Sequence, residues 1–134
     1  MAYPVYRIEH LGNQDNHVQI FVELEPHKSG SGSGSGRIYH VIGNILTGME
    51  LEMKASAECP ESLETFVPGS KKLVGHIGDP WILAKFEGMC RDISPPGAQL
   101  KLNGQPKDPS VPVRRCGEWV EEVLERARVD GVLG

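Results

Sequence analysis

The sequence predicts an α+β domain: an antiparallel sheet of about four to five strands packed with two helices. Three observations carry that expectation. Up to residue 77, apolar residues alternate with polar ones at the two-residue period of a half-buried strand. Beyond residue 79 they recur at three- and four-residue spacing, the period of a helix that faces a core. The strand-like stretches come first, the helical ones last, with turn clusters between them.

Taken in order, residues 3–9 alternate weakly, and Pro4 suits only a sheet edge. Residues 12–16 (Gly-Asn-Gln-Asp-Asn) form a turn cluster. Residues 17–25 alternate well: Val18, Ile20, Val22 and Leu24 share one face, and His17, Gln19, Phe21 and Glu23 the other. Residues 29–36 are four Ser-Gly repeats, a composition that predicts a flexible connection between two strands of a hairpin. The next strand, residues 37–46, places Ile38, His40, Ile42 and Leu46 on one side. A turn at Thr47-Gly48 leads to a strand over 49–54, with Met49, Leu51 and Met53 facing one way. Residues 55–70 are weakly patterned and contain Cys59; residues 71–77 form a further strand.

Asp79-Pro80 is a helix-start signal, with Asp79 as N-cap and Pro80 in the first helical position. Ile82, Phe86, Met89 and Ile93 follow at helical spacing, which predicts a helix over 80–93. Residues 94–113 hold five prolines and two glycines and form an irregular segment. Too little chain follows for a second domain, so residues 1–134 read as one. The last helix runs over 116–128, with Trp119, Val120, Val123, Leu124 and Ala127 as its apolar stripe.

Composition narrows the function classes. With 39% hydrophobic and 24% charged residues the chain is globular rather than disordered. A net charge of −4 without a basic tract gives nucleic acid no foothold. No apolar run approaches a membrane span, and residues 1–7 lack the apolar core of a secretory signal. An intracellular, cytoplasmic setting is the expectation. The three cysteines (Cys59, Cys90, Cys116) show neither metal-ligand nor disulfide-framework spacing. No metal and no cofactor is expected; a substrate or a protein partner is what remains.

Cys116 stands out. It follows Arg114 and Arg115 and opens the most regular helical pattern of the chain. Unpaired N–H groups and the positive end of the helix dipole meet a thiol in that position. Both favour the nucleophilic thiolate, as do two neighbouring guanidinium groups. Spacing to Trp119 and Val120 puts the thiol on the buried side of the helix. A nucleophilic cysteine needs a base, normally histidine, and often a third group to orient it. His17 opens a strong strand and His40 lies on the next one; His10, His27 and His76 are given no role. A register symmetric about the Ser-Gly run sets His40 opposite Phe21 or Val22. Opposite Phe21, the two rings would share a face but stand about 13 Å apart along the ladder. Contact between them would need a slipped register or a bulge.

These residues, in this order, resemble a known group. A histidine opens an apolar strand (His17-Val-Gln-Ile-Phe-Val), a second lies on the next strand (Tyr39-His40-Val), and a cysteine starts a late helix with an aromatic three residues on (Cys116-Gly-Glu-Trp119). The pattern resembles the circularly permuted papain-like cysteine hydrolases and acyltransferases, which include the lecithin:retinol acyltransferase-like proteins and the PPPDE isopeptidases. Over most of its length the chain also resembles small uncharacterised proteins of filamentous fungi, with similar Tyr-His-Val…Gly and Arg-Cys-x-x-Trp segments. The resemblance implies a permuted papain-like fold and a Cys-His-His site. Cys116 would be the nucleophile, His17 the general base and His40 the orienting third member. The Cys116 backbone N–H would contribute to an oxyanion site. The reaction implied is acyl transfer to water or another acceptor through a thioester. Two other expectations compete with it. One is a catalytically inactive interaction module on the same scaffold, since fold does not dictate activity. The other is a redox sensor pairing Cys90 with Cys116.

Overall fold

A computed structural model of the chain describes residues 2–12, 16–25, 34–56 and 64–134. Cys59, His27 and most of the Ser-Gly run lie outside the described residues. The strands are β1 (Tyr3–His10), β2 (His17–Glu25), β3 (Ser35–Asn44), β4 (Gly48–Ser56) and β5 (Lys72–Ile77). The helices are α1 (Pro80–Asp92) and α2 (Cys116–Val129). The architecture is α+β, as the periodicity predicts: one five-stranded antiparallel sheet in the order β4-β3-β2-β1-β5, with two helices.

Both helices cover one face of the sheet. Val18, Ile20 and Val22 of β2 join Tyr39 and Val41 of β3 against Phe86 and Cys90 of α1 and the apolar stripe of α2. All five stripe residues expected in α2 are buried. Trp119 is the largest fully buried side chain, and its indole N–H donates to the Ile93 carbonyl at 3.0 Å. That bond ties the end of α1 to the first turn of α2. Asp79 caps α1 as expected, accepting the Ile82 N–H at 2.9 Å, a contribution of about 1 kcal/mol.

The opposite face of the sheet is also covered. Ile8, Phe21 and Ile38 form a small buried cluster, closed by Tyr6 and by Phe66, which bridges to His10. The face of β2 that the sequence marks as more polar is therefore closed, and Gln19 is buried on it. Coverage of both faces makes β2 and β3 the interior of the fold.

The start of β3 and its register against β2 differ from expectation. Ser35 and Gly36 belong to β3, paired with Glu25 and Glu23, rather than to a connection. Glycine is required there, because a Cβ on Gly36 would lie 1.9 Å from the Val22 carbonyl oxygen. The β2–β3 register is also slipped relative to the symmetric one. Ile20 pairs with Tyr39, and an irregularity lies between Glu23 and Glu25. By contrast β3 and β4 pair without interruption from Asn44–Gly48 to Gly36–Ser56. Their turn is built by Asn44, whose side-chain oxygen accepts the N–H groups of Leu46 and Thr47, both at 2.9 Å. Gly48 follows at φ +100°, a left-handed conformation that favours glycine.

Residues 94–113 form neither helix nor strand beyond an isolated Leu100–Pro106 bridge. They are nonetheless held in place: Met49 N–H donates to the Pro96 carbonyl at 2.8 Å, and Gln99 N–H to the Ile45 carbonyl at 2.7 Å. Among the described residues no helix is long and apolar enough to cross a membrane.

Candidate functional site

The site forms where β1 ends, β2 begins, β3 runs out into its turn and α2 starts. His10 and His17 are direct ladder partners at this end of the β1–β2 pair. The slipped β2–β3 register brings Gln19 alongside His40, so His17 and His40 lie two residues apart along the ladder rather than four. Their rings touch: His17 Nε2 lies 2.6 Å from His40 Nδ1, with ring centroids 4.9 Å apart. The 13 Å separation expected from a symmetric hairpin is therefore corrected by the structure.

His40 sits at the centre of a polar cluster inside the fold and is only 4% exposed. Its Nδ1 also receives the side-chain amide of Gln19 at 2.9 Å. Its Nε2 lies 2.7 Å from a carboxylate oxygen of Glu52, its direct ladder partner on β4. Lys54 approaches the same Glu52 oxygen at 3.5 Å. His10 completes the group; its Nδ1 lies 3.0 Å from the Thr65 hydroxyl. Among the described residues no set of three His, Cys, Asp or Glu side chains is arranged to hold a metal ion.

The electrostatics follow from burial. Desolvation disfavours a charged ring and is the largest cause lowering the pKa of all three imidazoles. For His17, positive charge on His40, His10 and Lys54 adds to it, and the ring is pushed down to about 4. For His40, the bond to Glu52 opposes the fall. Glu52 is held below the usual carboxylate range, chiefly by its hydrogen bond with His40. All three rings are therefore neutral near pH 7.

Cys116 occupies the first position of α2, after Arg115 as N-cap. It is half-buried, against the helix side of the sheet. Its Sγ accepts the backbone N–H of Val18 at 3.5 Å. Thiol and imidazole are thus joined through one peptide unit, since Val18 follows His17. Among the described residues the sulfur makes no hydrogen bond to either imidazole. Cys116 and His17 both line an open cleft of about 1250 Å³, together with Arg115, Met49, Leu100 and Val113.

Segment 94–113 supplies one wall of this cleft and also holds its thiol-bearing helix. The Gln99 side chain grips the Arg114 backbone at both ends, donating to its carbonyl and accepting from its N–H, each at 2.6 Å. The Arg114 guanidinium pairs with Glu122, one turn and more into α2. The positive field expected from Arg114 is therefore spent on that carboxylate rather than directed at the sulfur.

The structure thus unites His17 and His40 on one face of the sheet, and places Cys116 on the helix face, bonded to the Val18 N–H and to neither ring. Sequence reasoning missed His10, Gln19, Glu52 and Gln99. One of these was accessible. A short β3–β4 turn fixes that register, and counting outward from Asn44–Gly48 places Glu52 opposite His40. The other three depend on the irregular segments and on the β1–β2 and β2–β3 registers, where no local signal points to them.

No curated protein and no solved structure matches the chain. One family profile does, over residues 5–134, and the chain accordingly belongs to the family described as "Family of unknown function (DUF6540)".

Proposed function

We propose that the protein is a thiol-dependent hydrolase or acyltransferase, with Cys116 as nucleophile, His17 as general base and His40 as the group that orients His17. One observation carries this reading. A cysteine at a helix N-terminus accepts the N–H of Val18, the amide that follows His17, and His17 is already bonded to a second histidine beside the same open cleft.

In the reaction, His17 takes the thiol proton as sulfur attacks an acyl carbon. The C–S bond forms and the developing oxyanion meets N–H groups of the first turn of α2, which have no partner within the helix. The leaving group takes the proton back from His17 and departs, leaving a thioester. Water or another acceptor then attacks, gives its proton to His17, and the sulfur leaves as the C–S bond breaks. A neutral His17 can accept a proton at pH 7. Catalytic hydrogen bonds in unliganded sites are commonly long and close on substrate binding, so a His17–Cys116 bond is required only in the loaded state.

Alkylation tests the reading. Iodoacetamide at pH 7.5, followed by peptide mass spectrometry, is expected to modify Cys116 at least about tenfold faster than an unstructured peptide thiol. His17→Ala is expected to remove that advantage. Labelling at the peptide rate would end the nucleophile assignment.

A Cys116 sulfur bonded to the Val18 N–H instead of to the His17 ring favours a second reading, a non-catalytic interaction module on the same scaffold. Its contact surface would be segment 94–113, where Leu102 is fully exposed and Val111 is 57% exposed. Binding partners lost when 94–113 is replaced but kept in Cys116→Ala would support it; partners lost only in Cys116→Ala would count against it.

A further inference from the structure

We propose that Glu52 is a positioning residue: acting through His40, it sets which ring nitrogen of His17 carries the proton. Donors and acceptors must match along a chain of four atoms. An ionised carboxylate can only accept. The Glu52 oxygen lies 2.7 Å from His40 Nε2, so that nitrogen must carry a hydrogen. A neutral imidazole has one N–H, which leaves His40 Nδ1 as a bare acceptor. The two groups aimed at Nδ1 must then both be donors. One is the Gln19 amide nitrogen at 2.9 Å, in the orientation that leaves the Gln19 amide oxygen buried without a partner among the described residues. The other is His17 Nε2 at 2.6 Å, which therefore carries the His17 proton. His17 Nδ1 is left with its lone pair.

Remove the carboxylate and His40 Nε2 loses its acceptor, so only the Gln19 amide still favours this order. A proton on His40 Nδ1 would force His17 Nε2 to accept, and the His17 proton would move to Nδ1. The two rings change tautomer together, because their contact is a single shared hydrogen bond. Neutrality of both rings, which burial imposes, is what makes the coupling strict. The carboxylate is well placed to hold its charge, with Lys54 3.5 Å from the same oxygen. Which His17 nitrogen is basic matters for reactivity only under the thiol reading above, and in that respect the inference rests on it. The tautomer assignment itself does not.

The test reads the ring nitrogens directly. In protein with 15N-labelled histidine at pH 7.5, long-range 1H–15N spectra are expected to show Nε2–H and bare Nδ1 on both His17 and His40. Glu52→Met, similar in size but without an acceptor, is expected to move a large fraction of both rings to Nδ1–H. Glu52→Asp keeps the carboxylate and is expected to restore the wild-type pattern. Glu52 is partly exposed on an edge strand, so neither variant threatens the core. In parallel, Cys116 alkylation is expected to slow about tenfold in Glu52→Met and recover in Glu52→Asp, the direction seen when an orienting carboxylate is lost from a triad. Nδ1–H on His40 in the wild type, or unchanged tautomers in Glu52→Met, would overturn the proposal. Tautomers that move as expected while wild-type Cys116 labels no faster than a peptide thiol would uphold the positioning role and remove the thiol reading alone.

Discussion

Cys90 has no exposed surface, and desolvation, with Glu87 adding repulsion, pushes its thiol up to about 12. Cys116, also unpaired, stands half-buried at the edge of a cleft and takes an N–H from Val18. A thiol without solvent contact and with so little thiolate cannot react from the folded state. In native buffer at pH 8, iodoacetamide is expected to modify Cys116 while Cys90 stays protected by at least about a hundredfold, a rate set by unfolding events. Peptide mapping over time measures this, and urea should release the protection cooperatively. Comparable native rates at the two cysteines would contradict it. The same burial leaves little room for a Cys90–Cys116 redox pair. Cys90 was readable as core from its neighbour Met89 on an apolar stripe. Of the polar partners of His40 only Glu52 was readable, because His17 and Gln19 reach it through the β2–β3 register.

Element by element, the legible features were those with local chemistry. Asp79-Pro80 fixes the start of α1, the four-residue spacing of Trp119, Val123 and Ala127 fixes the buried side of α2, and alternation fixes β2. The β2–β3 register was not legible. A Ser-Gly run carries no turn preference, so the connection does not dictate which residues face each other. Packing decides instead, and one of its terms is visible at Gly36. The chain approaches Val22 so closely there that any side chain collides with the carbonyl. Gly36→Ala must push β3 away from β2 or slip the pairing, at a cost of about 2 kcal/mol, in the range of overpacked cores. Gly97→Ala, where a Cβ meets nothing within 4 Å, serves as control and should leave stability within about 0.5 kcal/mol of wild type. Urea midpoints compare the two. Equal stability would mean that the Gly36 approach does not govern the register. A slip would also part His17 from His40, so Gly36→Ala should disturb their ring resonances.

Across the whole molecule, the buried imidazoles link folding to pH. Burying a base lowers its pKa, so between the folded and unfolded values the unfolded chain binds more protons. Stability therefore rises with pH in that window, and is lost as pH falls. For His17 the window runs from 6.5, its ordinary value, down to about 4. His10 and His40 shift in the same direction and steepen the upper part of the slope. Glu52 and Glu9, both held below the usual carboxylate range by hydrogen bonds, act in the same sense at lower pH. Just above pH 7 none of these groups changes state and the profile should be flat, until the Cys90 thiol, held protonated in the fold but free to ionise in the unfolded chain, makes stability fall at alkaline pH. Because His17 is only partly buried, its share is discounted to about 1–2 kcal/mol by pH 5. Urea unfolding at pH 7.5, 6 and 5 reads the total, and His17→Asn, which does not titrate, should flatten the slope by about that amount. The outcome bears on the site as well as on stability. A His17 ring that remains neutral down to pH 5 keeps its contact with His40 through the range in which an exposed histidine would already be charged. A profile that falls no further in wild type than in His17→Asn would place the His17 ring in water, detached from His40, and the interior chain of imidazoles would then not exist in solution.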